Sequence, residues 1–190
     1  MDLLGSMMAS ASELDAIMGF STIHPKTALR TPMKNDNFEP LSRPECIVAI
    51  GNAMDWAYRD SGYRQFRETQ LADDDDYVEV DQAITAFDSP TAARALVART
   101  VGIWRQCGGG TLTLSYDGGE TYSSRLLAVP SVLDGINVTH DQPAAGSGTF
   151  THRAILAVDS IVVDLRISDY TADDAKIAQL AKTIADRNAL

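Results

Sequence analysis

Apolar residues recur along this chain with two different periods, and the switches between them divide it into elements. Ser12-Glu13-Leu14-Asp15-Ala16-Ile17-Met18-Gly19 has helical spacing, with Ser10 or Ser12 as N-cap, acids in the first turn and Gly19 as the stop. Residues 20–43 hold Pro25, Pro32 and Pro40 among few periodic apolar positions, which predicts an extended, irregular segment. Pro44 then opens a helix expected to run to about Tyr58, with Ile47, Ile50, Ala53, Met54 and Ala57 as its apolar face and Asp60-Ser61-Gly62 as its end. Two strands follow, at residues 63–71 and 77–87, joined by the acidic turn Asp73-Asp74-Asp75-Asp76. Ser89-Pro90 starts a long helix that runs to about Gln106. Its inner stripe of Ala93, Val97, Thr100 or Val101 and Trp104 leads to Cys107, and Gly108-Gly109-Gly110 stops it.

The second half is dense in strands: residues 111–116, 122–129, 135–140, 149–158 and 161–168. Asp117-Gly118-Gly119 and Asp159-Ser160 have the composition of hairpin turns, and residues 143–148 that of a flexible loop. Thr171-Ala172-Asp173-Asp174 resembles a capping box with Asp in place of Glu. It opens a last helix with the stripe Ile177, Leu180, Ala181 and Ile184. The strands lie too close together for parallel βαβ units. The expected fold is therefore α+β: a mostly antiparallel sheet of about six to seven strands flanked by helices. A single domain, residues 1–190, is expected, with 1–43 packing on it as a helix plus an extended segment.

Charge narrows the partners. Asp and Glu outnumber Lys and Arg by 26 to 16, so the formal net charge is −10. Phosphate neutralisation needs a basic surface, which argues against nucleic acid. No run approaches the ~18 consecutive apolar residues of a membrane-spanning helix. Residues 1–10 lack the basic start and cleavage site of a signal peptide, so the chain is either cytosolic or an exported one whose leader lies outside this sequence. The only cysteines, Cys46 and Cys107, form no CxxC and have no His at zinc-ligand spacing. They are either two buried thiols or one long-range disulfide. A bond closing a loop of about 60 residues would stabilise by roughly 4 kcal/mol in the chain-entropy model.

The chemistry-bearing candidates are few. Gly108-Gly109-Gly110 follows a helix, whereas a phosphate loop precedes one. Four consecutive aspartates point in diverging directions and do not make a calcium loop. His24, His140 and His152 are the only histidines. In one hairpin, His140 and His152 become near cross-strand neighbours with Asp141 close by, a set that could hold a metal. Half-buried strand-end histidines are the expected reading, and no metal or cofactor is expected. No GxSxG and no distinctive carboxylate pair is present, so no enzyme activity is expected. In the late strands one parity is apolar (Phe150, Ala154, Leu156, Ile161, Val163, Leu165, Ile167), while the other carries Arg153, Asp164 and Arg166, with Arg125, Asn137 and Thr139 expected to join it. A two-residue turn at Asp159-Ser160 sets Arg153 directly opposite Arg166, a repulsive pair. Asp164 offsets part of this; the remainder would be met by solvent or by a bound anion.

Three stretches carry a family resemblance: Pro44-Glu45-Cys46 with Tyr58, Ser61-Gly62 and Gln70-Leu71; Gln82-Ala83-Ile84-Thr85-Ala86-Phe87-Asp88-Ser89 leading to Ala92-Ala93; and Trp104-Arg105-Gln106-Cys107-Gly108. In order and spacing the chain resembles, over residues 3–190, the extracellular sensor domain of PknH-type mycobacterial receptor serine/threonine kinases and its stand-alone lipoprotein relatives. The resemblance implies a compact domain outside the cytoplasmic membrane, a ligand cleft, and pairing of Cys46 with Cys107. One departure stands out: the second disulfide of the kinase ectodomain has no counterpart, because nothing after Cys107 is cysteine. Kinase motifs are absent from this sequence. The resulting expectation is a non-enzymatic sensor or ligand-binding domain of a cell-envelope lipoprotein whose anchor lies upstream of Met1. Its ligand would be an unidentified small molecule or envelope component, held on the polar sheet face by Arg125, Arg153 and Arg166, with Tyr122 or Tyr63 as aromatic walls. The alternative is an accessory lipoprotein that binds proteins and has no small-molecule pocket.

Overall fold

A computed structural model describes residues 3–19, 23–34, 39–40, 42–75, 77–116, 119, 121–145, 148–171 and 173–188. Two short helices come first, α1 (Leu3–Ser6) and α2 (Ala11–Met18). Ser10 is the α2 cap: its side chain accepts from Glu13 N–H while the Glu13 carboxylate accepts from Ser10 N–H, and Gly19 closes the helix in the left-handed region. The segment expected to be irregular contributes two edge strands, β1 (His24–Leu29) and β2 (Glu39–Pro40). Both sit at sheet edges, where prolines are tolerated.

The helix expected over residues 44–58 is broken in two. A 3₁₀ turn (Pro44–Cys46) runs into α3 (Ile47–Ile50), and α4 (Asp55–Tyr58) starts afresh. Gly51 is extended, and Ala53 is left-handed at φ 47°. A Cβ on Gly51 would lie 2.5 Å from Met54 Sδ, so any larger residue there would have to push the Met54 side chain aside. The freed Ala53 N–H donates to the Asp164 carboxylate at 2.9 Å. That carboxylate arrives from a strand far along the chain, which is why helical periodicity within 44–58 gave no sign of the break.

The remaining elements follow the sequence pattern. They are β3 (Gln65–Ala72), β4 (Glu79–Ala86), α5 (Pro90–Cys107), β5 (Thr111–Tyr116), β6 (Thr121–Leu127), β7 (Ser131–Leu133), β8 (Ile136–Pro143), β9 (Phe150–Val158), β10 (Ile161–Asp169) and α6 (Asp174–Asn188). Ser89 caps α5 as expected, accepting from Ala92 N–H. At α6 the cap is Asp173, which accepts from Lys176 N–H, and not Thr171. The expected turns at Asp117-Gly118 and at Asp76 fall partly outside the described residues. Strand β7 was not expected; Asp134 and Gly135, both at positive φ, turn it back onto β8.

The strands form one antiparallel sheet in the order β1-β3-β4-β10-β9-β8-β6-β5-β2, with β7 paired to β8. This confirms the α+β class and raises the strand count to ten among the described residues. The two-residue turn at Asp159-Ser160 sets the β9–β10 register as expected, pairing Arg153 with Arg166. Helices cover both faces. On one, α6, α1 and α2 pack over Val80, Ile84, Val138, Ala154, Val163 and Leu165. On the other, α3, α4 and α5 pack over Phe66, Ala83, Ile155 and Val162. The polar parity of the late strands is thus covered over much of its length, not a solvated face. Cys46 and Cys107 are joined by a disulfide with Cα atoms 5.6 Å apart, tying the 3₁₀ turn to the end of α5. Among the described residues, no helix is long and apolar enough to cross a membrane.

Candidate functional site

A cleft of about 650 Å³ opens where the α3–α4 break leaves part of the sheet uncovered. Its floor comes from the central strands and its apolar wall from Met33, Ile50, Met54 and Leu114. Charged groups from five strands, β1, β4, β6, β8 and β10, line it. Arg166 on β10 donates through Nη1 to Glu79 Oε2 and Asp81 Oδ2, both at 2.9 Å. Arg125 on β6 donates from Nε to Asp141 Oδ2 at 3.1 Å and from Nη2 to the Thr149 carbonyl at 2.8 Å. Lys26, at the register shift in β1, joins the lining. Three cations and three carboxylates share this space, so it is charge-balanced and not an anion trap.

Alternation explains why these groups converge. Arg166, Asp81 and Asp141 lie on the parity that faces α3–α5, the same parity as Ile155, Val162 and Ala83. Burial raises the Asp81 carboxyl above its usual value, although Arg166 pulls it down; burial likewise raises Asp141 against Arg125. Burial opposes the Arg166 charge, but Asp81 and Glu79 outweigh it and hold the guanidinium above its ordinary value. Beneath the cleft, Glu68 is buried beside Asp81 and Asp164 and is pushed up to about 8, chiefly by burial and then by those two carboxylates.

The sequence-predicted contacts separate. Arg125 and Arg166 line the cleft. Arg153 does not, being 0% exposed. Its Nη2 donates to Asp164 Oδ1 at 2.5 Å, its Nη1 to the carbonyls of Val48 and Gly51, and its Nε to the Leu165 carbonyl. The guanidinium lies over the Trp104 ring, 5.3 Å from its centroid, and Trp104 Nε1 donates to the same Val48 carbonyl. Tyr63 packs with Tyr58 and Phe66, and Tyr122 stands on the surface at 61% exposure; neither lines the cleft. The Arg153–Arg166 opposition is met on both sides by protein carboxylates, Asp164 for one and Glu79 with Asp81 for the other.

Glu79, Asp81 and Lys26 are not among the contacts expected from the sequence, and Asp141 was expected beside the histidines and not in this cleft. The available signal was an acid inside an otherwise apolar strand, as in Val80-Asp81-Gln82-Ala83-Ile84. His140 and His152 do face each other across β8 and β9, on the α6 face of the sheet. Their carboxylate partner is Asp174 and not Asp141, because Asp141 alternates onto the opposite face and pairs Arg125. Among the described residues, Glu45, Cys46 and Cys107 also cluster, but those sulfurs are bonded to each other.

The family model described as "PknH-like extracellular domain" matches residues 2–187. The serine/threonine-protein kinase PknH of Mycobacterium bovis is 28% identical over 188 residues, covering 97% of this chain and 30% of the kinase. The same kinase from Mycobacterium tuberculosis is 28% identical over 97% of this chain and 29% of its own length. The chain therefore spans under a third of the curated kinases it matches. The crystal structure of the extracellular domain of PknH from Mycobacterium tuberculosis superposes with a TM-score of 0.88 at 24% identity, covering 97% of this chain and 93% of that one. What is shared is an extracytoplasmic domain with this architecture, not the catalytic part of a kinase. The chain belongs to the family of PknH-like extracellular domains.

Proposed function

We propose that the chain is a non-enzymatic, extracytoplasmic sensor module that binds a small molecule or cell-envelope component in the cleft over β10, β4 and β6. An envelope lipoprotein is the proposed carrier, as in the stand-alone relatives the sequence resembles. The observation that carries this reading is the cleft itself. About 650 Å³ lies within the usual range of small-molecule sites, and an apolar wall faces a few oriented polar groups. Arg125 and Arg166 are held by carboxylates before any ligand arrives, so their forks are preorganised. Because the charges balance, the fitting ligand carries a hydrogen-bonding, mixed-polarity head and an apolar body. No nucleophile–base pair or metal enters this proposed role.

The test is a thermal-shift screen of envelope-derived small molecules against the parent, Arg166→Lys and Gln70→Trp. Lys keeps the charge and loses the planar fork; Trp at Gln70 fills the cleft. A true ligand raises the parent's midpoint, raises that of Arg166→Lys less, and leaves Gln70→Trp unmoved. Equal shifts in all three proteins would place binding elsewhere. Failure of the whole screen, with a protein co-purifying instead, would favour the protein-docking alternative.

A further inference from the structure

On the face of the sheet turned away from the cleft, three side chains that the proposed function leaves unused come together. His140 on β8 and His152 on β9 are register partners, their ring centroids 5.5 Å apart and their planes inclined by 38°. Asp174, the first residue of α6, sets one carboxylate oxygen against each ring. Oδ2 lies 2.9 Å from His140 Nδ1, and Oδ1 lies 2.8 Å from His152 Nδ1. One ligand-capable atom from each residue falls within 4.8 Å of the other two. Among the described residues, no Lys or Arg forms an ion pair with Asp174.

We propose that His140, His152 and Asp174 form a binding site for one borderline divalent transition-metal ion, the class represented by Zn²⁺. Two imidazole nitrogens and one carboxylate oxygen are a donor set such ions favour. Ca²⁺ and Mg²⁺ prefer shells built of oxygen and are not expected to compete. The three ligands come from three separate elements whose backbones are already positioned, two by the β8–β9 ladder and one by the capped start of α6. Little rearrangement is therefore needed to admit an ion. Each neutral imidazole can present its Nδ1 lone pair by carrying its ring proton on Nε2. His152 is buried and its Nε2 has no hydrogen-bond partner, so without an ion its ring proton belongs on Nδ1 facing Asp174; a bound ion would take that proton's place, and the metal bonds must outweigh the unsatisfied Nε2–H that results. His140 is 40% exposed and gives the ion a path from solvent, with an outer coordination position open to water. The bound ion would tie the start of α6 to β8 and β9.

The experiment uses the full chain without an affinity tag, stripped with a chelator and titrated with Zn²⁺ against a chromophoric competitor, with thermal unfolding read in parallel. One ion per chain is expected to bind in the micromolar range or tighter, with a rise in the unfolding midpoint. His140→Gln changes a surface side chain, and Asp174→Asn keeps the shape and the Asp173 cap. Each is expected to weaken Zn²⁺ binding by about tenfold or more, while His24→Gln leaves it unchanged. Circular dichroism confirms that the variants are folded. The proposal is overturned if no saturable Zn²⁺ binding occurs below millimolar concentration, if both variants bind like the parent, or if Ca²⁺ binds as tightly as Zn²⁺.

Discussion

Arg153 and Arg166 stand opposite each other on adjacent strands, yet they do different work. Arg153 is sealed beneath Trp104 and joined to Asp164, whose other oxygen accepts from Ala53 N–H and the Tyr58 hydroxyl. Removing one member of such a pair strands a buried charge. Arg153→Ala is expected to cost about 3–5 kcal/mol, read by chemical denaturation. The double replacement Arg153→Met with Asp164→Leu should cost less than the two single changes summed, since it strands no charge. Additivity of the two would contradict a coupled buried pair. Glu68 supplies a pH signature. Its folded pKa, raised to about 8, means the folded state binds a proton that the unfolded state has already released above the ordinary glutamate value of 4.5. Its contribution therefore favours the fold at low pH and is lost as pH rises from about 4.5 through about 8. Glu68→Gln should flatten that decline and leave the variant more stable than the parent above pH 8, by up to a few kcal/mol on the order of the shift. A parent and variant with parallel pH profiles would rule this out. The register that opposes the two arginines was legible in the sequence, because a two-residue turn at Asp159-Ser160 permits only one pairing. Their separate fates were not, because they depend on which carboxylates reach them across the sheet.

At the scale of elements, the cleft exists because one expected helix is two. The break at Gly51–Met54 is held by Asp164 and Arg153 and by the disulfide at its N-terminal side. Periodicity within residues 44–58 fits an unbroken helix equally well; the deciding partners lie on β9 and β10. The long capped helix α5 and the hairpin strands, whose signals are local, were readable. Breaking the Cys46–Cys107 bond, by reduction or by Cys46→Ser with Cys107→Ser, should destabilise by about 2–5 kcal/mol, measured as a fall in the unfolding midpoint. Two glycines of the same region should respond in opposite ways. A Cβ at Gly108 would lie 2.9 Å from the Ala128 carbonyl oxygen and the Val129 Cα, both backbone atoms. Gly108→Ala is expected to cost about 1–3 kcal/mol. Gly102, inside α5, has open space around it, and Gly102→Ala should gain up to about 1 kcal/mol. Similar effects at both positions would contradict the close approach of the α5 terminus to the end of β6.

In the whole molecule, the sheet separates two polar constellations. Arg125, Arg166 and their carboxylates face the cleft, while His140, His152 and Asp174 sit behind it. Asp141 and Thr151 of the cleft are the chain neighbours of His140 and His152, so the two sites share strands while presenting opposite faces. The family relation was legible because short motifs recur in a fixed order, although identity to the kinases is only 28%. The walls of the cleft were not legible: they assemble from strands far apart in sequence, and the aromatic residues that composition offered, Tyr63 and Tyr122, lie elsewhere. The central claim, that this cleft holds a small ligand, is tested most directly by native mass spectrometry of the chain exported from a mycobacterial host, beside its Gln70→Trp variant. A non-covalent small-molecule adduct is expected on the parent and not on the cleft-filled variant. An adduct retained unchanged by the variant, or a parent that carries none from any envelope fraction, would contradict the claim.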